Sequence, residues 1–193
     1  MDRRTLLGVA GSAGVVATAG CSALGRAQTL SDPTVGGESD RRKHLGFTAD
    51  GEEVATFGVD GRVSGETVEL PIEIYHRDGT RVESITLRVW MPPRDAPATV
   101  AVESPVSGDS SPPPEVTLSV PDRGQGQLIG ISDLDDLADE TISTLTLLVR
   151  PHPEASGPLS IATTIELGGG GVLASDYTLD GQLDLEFPAV TSQ

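Results

Sequence analysis

A period of two runs through most of this chain beyond residue 47, and it restricts what the chain can become. Val68, Leu70, Ile72 and Ile74 alternate with Glu69, Pro71, Glu73 and Tyr75; Ile85, Leu87, Val89 and Met91 alternate with Thr86, Arg88 and Trp90. Successive side chains of an extended backbone point to opposite sides, so each run has one apolar face to bury. Asp78-Gly79 lies between the two runs, and both residues tolerate positive φ, which predicts a tight hairpin. Val82 is out of phase with Ile85, which predicts a bulge near Glu83-Ser84. Pro71 has no N–H to give a ladder and is expected on an edge strand.

The same alternation recurs at Val100 and Val102, at Val116, Leu118 and Val120, and from Leu128 to Ile131. It returns from Thr141 to Arg150 and from Leu159 to Leu167. It closes with Tyr177 and Leu179, then Leu183, Leu185 and Phe187, with Asp180-Gly181 read as a turn between them. Ser132 to Glu140 reads as one helical turn capped by Ser132, with early acids at the positive end of its dipole. About eight to ten short strands and one helical turn predict an all-β sandwich. The arrangement resembles an immunoglobulin- or fibronectin-type sandwich, since Leu137-Ala138-Asp139-Glu140-Thr141 precedes a strand as such folds often have it. Ile142 and Ser143 stand where those folds carry a tyrosine. A small barrel or jelly roll is the alternative.

The first twenty-one residues state an address. Asp2-Arg3-Arg4-Thr5-Leu6-Leu7 is followed by small and apolar residues to Ala19, then Gly20 and Cys21, the only cysteine. The run Leu6–Ala19 is 14 residues long, short of the roughly 20 needed to cross a bilayer as a helix, so a removable signal is expected instead. The Arg3-Arg4 segment resembles the twin-arginine export motif. Thr18-Ala19-Gly20-Cys21 resembles a lipobox, with Thr18 where a larger aliphatic residue is usual. The resemblance implies export through residues 1–20 and a lipid on Cys21. One acyl chain anchors only marginally, so a two-chain lipid is expected. Residues 21–46, polar and without periodicity, read as a flexible tether reaching roughly 27 Å, and residues 47–190 as the domain. The expected location is the outer face of the cytoplasmic membrane.

Charge narrows the function. Formal net charge is −16, with one lysine, Lys43, among thirteen basic residues. Acidic surplus, scarce lysine and many small residues resemble proteins of extremely halophilic archaea. A carboxylate-rich surface stays hydrated where salt shortens the screening length to about 3 Å. Phosphate contacts need a basic stripe; Arg41-Arg42-Lys43 is the only cluster, so nucleic acid is excluded as a partner. Beyond Cys21 no thiol remains, which rules out disulfides in the domain and also a blue-copper centre, since that site requires a cysteine thiolate.

Motifs of chemistry are sparse. His44, His76 and His152 show no metal-ligand spacing and read as solvated histidines of the tether, a turn and a loop. Gly108-Asp109-Ser110-Ser111 lacks a histidine-and-aspartate framework. Gly124-Gln125-Gly126 to Gly130 misses the dinucleotide spacing and reads as a turn entering a strand. Asp133, Asp135, Asp136, Asp139 and Glu140 lack the glycine and closing glutamate of a calcium loop. Tyr75 and Trp90 fall opposite their strands' aliphatic faces, which predicts an exposed aromatic pair on one hairpin, a candidate binding surface. The reading is a non-catalytic binding or accessory module without cofactor or metal, whose partners are the membrane, through Cys21, and a membrane or surface protein. The alternative is a secreted hydrolase or calcium-dependent enzyme with a site built from loop carboxylates.

Overall fold

The apolar parity of each run points between two sheets. A computed structural model describes residues 27–92, 99–103, 115–120, 126–132, 134, 142–153, 155, 157–169 and 175–187. Among the described residues are strands β1 (Gln28–Leu30), β2 (Thr34–Ser39), β3 (Arg42–Ala49), β4 (Glu52–Asp60), β5 (Arg62–Ser64), β6 (Thr67–His76) and β7 (Thr80–Trp90). They continue with β8 (Thr99–Glu103), β9 (Glu115–Ser119), β10 (Gln127–Ser132), β11 (Ile142–Arg150), β12 (Leu159–Gly169) and β13 (Tyr177–Leu185). One sheet has the order β1-β13-β12-β7-β10-β9, the other β2-β3-β4-β6-β11-β8 with β5 beside β6. Described neighbours run antiparallel except β1, which is parallel to β13. This is the all-β sandwich expected from the alternation, with the immunoglobulin-like architecture that the resemblance implies. The predicted helical turn lies outside the described residues, apart from Ser132 at the end of β10 and Leu134, which is buried.

Leu45, Phe47, Phe57, Leu70, Ile72 and Ile74 from one sheet meet Ile85, Leu87, Ile129, Ile161, Ile165 and Leu179 from the other. Each of these removes its side chain from water almost completely, worth about 1.5–3 kcal/mol apiece. The predicted bulge is present: Glu166 pairs with Ser84 and Leu167 with Val82, leaving Glu83 as the extra residue. That extra residue returns both Val82 and Ile85 to the core.

Four expectations are corrected. Residues 28–46, read as tether, form β1, β2 and most of β3. Strand β2 lies at a sheet edge with both faces largely exposed, so its ladder to β3 imposes no apolar alternation. Asp78-Gly79 does not close a hairpin; β6 belongs to one sheet and β7 to the other, and the turn carries the chain across the sandwich. Asp180-Gly181 lies inside the unbroken strand β13, where Gly181 lets Leu45 approach: a Cβ there would fall 2.5 Å from Leu45 Cδ1. Pro71 sits in an interior strand. The β4 ladder ends at Val59↔Ile72 and the β5 ladder starts at Arg62↔Glu69, so Pro71 falls at the joint between them.

Candidate functional site

The outer face of the seven-stranded sheet carries a hollow, and the strand registers assemble it row by row. One row across β2, β3, β4 and β6 is Gly36, His44, Gly58 and Glu73; the next is Thr34, Gly46, Thr56 and Tyr75. Arg42 and Asp60 pair below them, and Thr48 and Glu53 above. Three adjacent strands thus place glycine where the neighbouring rows place side chains. The His44 ring fills the space left by Gly36, because a Cβ there would collide with it. Gly46 and Gly58 are open: the nearest atoms to a Cβ would be 3.9 Å and 3.8 Å away. The result is a hollow of about 730 Å³ with bare backbone for a floor and Tyr75, Glu73, His44 and Glu53 in its walls.

One end of the hollow is held by ion pairs. Arg42 donates to Asp60 at 2.9 Å and to Glu38 at 2.8 Å, and Arg62 donates to Asp60 at 2.8 Å. The hydrogen bonds from Arg42 and then Arg62 hold the Asp60 carboxyl down at about 2. Its bonds to Asp60 and then to Glu38 raise Arg42 further above its already high value. The neighbouring Lys43 crosses to the other sheet and donates to the Asp184 carbonyl at 2.7 Å. These cations are engaged within the protein, so the hollow offers a ligand its hydroxyls, the imidazole, the phenol and the Glu53 and Glu73 carboxylates. That set can form hydrogen bonds and stack a planar group on Tyr75.

The sequence-predicted residues are dispersed. Tyr75 stands 44% exposed in the wall of the hollow. Trp90 is half-buried on β7, on the outer face of the opposite sheet, so the two rings share no surface. Arg3, Arg4 and Cys21 lie outside the described residues, as do Asp133, Asp135, Asp136, Asp139 and Glu140. His44 is in the wall of the hollow, on strand β3 instead of a tether. His76 is not solvated: it is buried, with Nδ1 3.0 Å from Thr80 Oγ1 and Nε2 unpartnered. The carbonyl of His152 accepts from the Ala155 amide at 2.8 Å in the connection after β11. Gly126 turns the chain with positive φ into β10. Among the described residues no three His, Cys, Asp or Glu side chains gather where a metal could bind.

The hollow itself was missed. Its signal was glycine on the polar parity of two strands, in Arg42-His44-Gly46-Thr48 and Thr56-Gly58-Asp60.

The chain is similar to several solved domains at low identity. The GAE domain of GGA2p from Saccharomyces cerevisiae is 9% identical with a TM-score of 0.34, covering 80% of this chain and 98% of that one. The collagen-binding domain of a Staphylococcus aureus adhesin is 12% identical with a TM-score of 0.34, covering 65% and 97%. The collagen-binding domain of the Erysipelothrix rhusiopathiae surface protein RspB is 13% identical with a TM-score of 0.35, covering 81% and 60%. No curated protein matches the chain. Residues 27–189 match the family described as a domain of unknown function, DUF8121, and the chain belongs to that family.

Proposed function

We propose that this chain is a non-catalytic binding module, exported by Arg3-Arg4, held by a lipid on Cys21 at the outer face of the cytoplasmic membrane, and accessory to a membrane or surface protein. The resemblance of residues 1–21 to a haloarchaeal twin-arginine lipoprotein signal supports the address. The observation that carries the binding role is the glycine-floored hollow. Gly46 and Gly58 open the floor of a hollow of about 730 Å³ on the outer face of the seven-stranded sheet, a volume within the usual range for ligand sites. Strand interiors lose stability by accepting glycine, so two glycines with nothing packed over them favour a surface kept clear for another molecule.

The test uses three versions of the chain purified from detergent-solubilised membranes in high salt: wild type, Cys21→Ser and Gly58→Val. Wild type is expected in the membrane fraction with a stoichiometric protein partner. Cys21→Ser is expected in the soluble fraction. Gly58→Val is expected to remain folded and membrane-bound while losing the partner. A partner retained by Gly58→Val removes the hollow as the binding site, and a membrane-bound Cys21→Ser removes the lipid anchor.

A further inference from the structure

The described sheets have five edge strands, β1, β2, β5, β8 and β9, and four of them are protected. Strands β1 and β5 have only three residues each. Strand β2 is broken by a register shift between Gly37 and Ser39 and carries Glu38. In β8 the side chain of Val100 is buried and its N–H donates to Gln127 Oε1 at 3.1 Å. Strand β9 has five residues, no register shift, and a charge only at its first residue, Glu115. All five of its residues are exposed, and its centre, Val116-Thr117-Leu118, holds no charge, no proline and no bulge. Val116 pairs with the buried Ile131 and Leu118 with the buried Ile129, so both share the core-facing side of the sheet. They nevertheless stand 39% and 47% exposed, and Val120 beyond them 71%. The apolar lining of the sandwich therefore continues onto an open edge, a template for another strand.

We propose that β9 pairs antiparallel with β9 of a second copy of this chain, about a two-fold axis at Thr117. The occupant follows from the sequence of the strand. In that register Val116 faces Leu118 of the other copy on both sides of the axis, which brings four apolar side chains together. Glu115 faces Ser119, so neither carboxylate meets its own counterpart, whereas a parallel in-register pairing would set Glu115 against Glu115. Two-fold symmetry is the common solution for self-association. The ladder has about four to six backbone hydrogen bonds, depending on which parity faces outward. Pro114 and Pro121 flank the strand in sequence and lack the donors needed to extend it. Two five-residue strands bury less than the roughly 1,200 Å² of a stable interface, so the dimer is weak and concentration-dependent. Each copy carries a formal charge of −16, and salt strengthens association by shortening the screening length from about 10 Å at 0.1 M to about 3 Å at 1 M.

The experiment takes the full chain carrying Cys21→Ser in mild detergent, with Thr117→Cys added, under gentle oxidation at 0.1 M and 1 M salt. Opposed residues of an antiparallel pair have Cα atoms about 4.5–5.5 Å apart, within the span of a disulfide. Most of the chain is expected as covalent dimer at 1 M salt, with less at 0.1 M. Glu115→Cys alone is expected to give none, because its own counterpart lies about 14 Å away, while a mixture of Glu115→Cys with Ser119→Cys is expected to give the mixed dimer. Leu118→Glu in the Thr117→Cys chain is expected to cut the dimer yield at least tenfold while leaving the circular dichroism spectrum unchanged. Thr117→Cys that stays monomeric at 1 M salt overturns the proposal and leaves the edge to a strand of another protein. Self-coupling of Glu115→Cys overturns the antiparallel register.

Discussion

His76 Nδ1 lies 3.0 Å from Thr80 Oγ1, and the hydroxyl of Thr80 is in turn 2.8 Å from the Arg77 carbonyl. The hydroxyl proton goes to the carbonyl, so its lone pair receives the proton of Nδ1, and the ring is held as the Nδ1–H tautomer. This chain of bonds fixes the turn that carries the backbone from one sheet to the other. Arg77 adds to it by donating to the Tyr177 hydroxyl at 2.8 Å with its guanidinium 5.4 Å from that ring. Thr80→Val takes from the buried Nδ1 its nearer partner and leaves the Arg77 carbonyl with the Thr80 amide, 3.3 Å away, and the more distant Nδ1. The expected loss is about 1–3 kcal/mol in chemical denaturation, with Thr80→Ser close to wild type.

Gly46 and Gly58 invite the opposite result. Neither has positive φ, and each has room for a side chain. Gly46→Val and Gly58→Val are expected to raise stability by about 0.5–1 kcal/mol each, read from the denaturation midpoint. The gain in stability accompanied by loss of the bound partner would separate the two demands on this face.

Gly181 contrasts with both. A methyl group there would meet Leu45 Cδ1 at 2.5 Å, Pro33 Cγ at 3.2 Å and Phe47 Cζ at 3.3 Å, and Leu45 and Phe47 are buried. Gly181→Ala is expected to destabilise the domain by about 1–3 kcal/mol, because the packed neighbours have no space to yield.

Asp60 sets an acid limit. Its carboxyl is held at about 2 in the folded chain against an ordinary 3.8. The folded state therefore binds this proton less readily than the unfolded state. Its contribution is complete above about 3.8 and is lost as pH falls towards about 2. Asp60→Asn is expected to flatten that part of the stability–pH curve relative to wild type. At neutral pH it should cost no more than about 1 kcal/mol, since the arginines around it are half-exposed or more. Urea midpoints of both proteins measured from pH 2 to 5 give the difference.

How much was legible in the chain is clearest from its four Asp-Gly pairs. Asp50-Gly51 has positive φ at both residues and closes a hairpin between β3 and β4. Asp60-Gly61 separates β4 from β5, Asp78-Gly79 changes sheets, and Asp180-Gly181 lies within β13. The dipeptide permits a tight turn, but which neighbour the next strand joins depends on the distant partners of its apolar face. The core parity was readable, including the bulge that brings Val82 and Ile85 to the same side, because burial of one face writes itself into every second residue. Strands β1 and β2 at the edges leave no such mark, and interior β3 buries only Leu45 before Phe47, so residues 28–46 read as tether. The hollow left only a faint mark, glycine on the polar parity of β3 and β4. It is made by side chains that are missing from three strands, and the register that aligns Gly36, Gly46 and Gly58 is set by pairings between strands.

Strand β1 joins the fold through three residue pairs, Gln28↔Tyr177, Thr29↔Thr178 and Leu30↔Leu179, and runs in the same direction as β13. A pull on residue 27 along the strand axis slides the two strands past each other and loads the hydrogen bonds of β1 together instead of one after another. For a domain held from its N-terminal side, tension from a captured partner passes first through this shear joint. Its rupture releases residues 28–30, about 10 Å of extended chain; under the anchoring proposed above, β1 is the mechanical fuse expected to yield before the strands that carry the hollow.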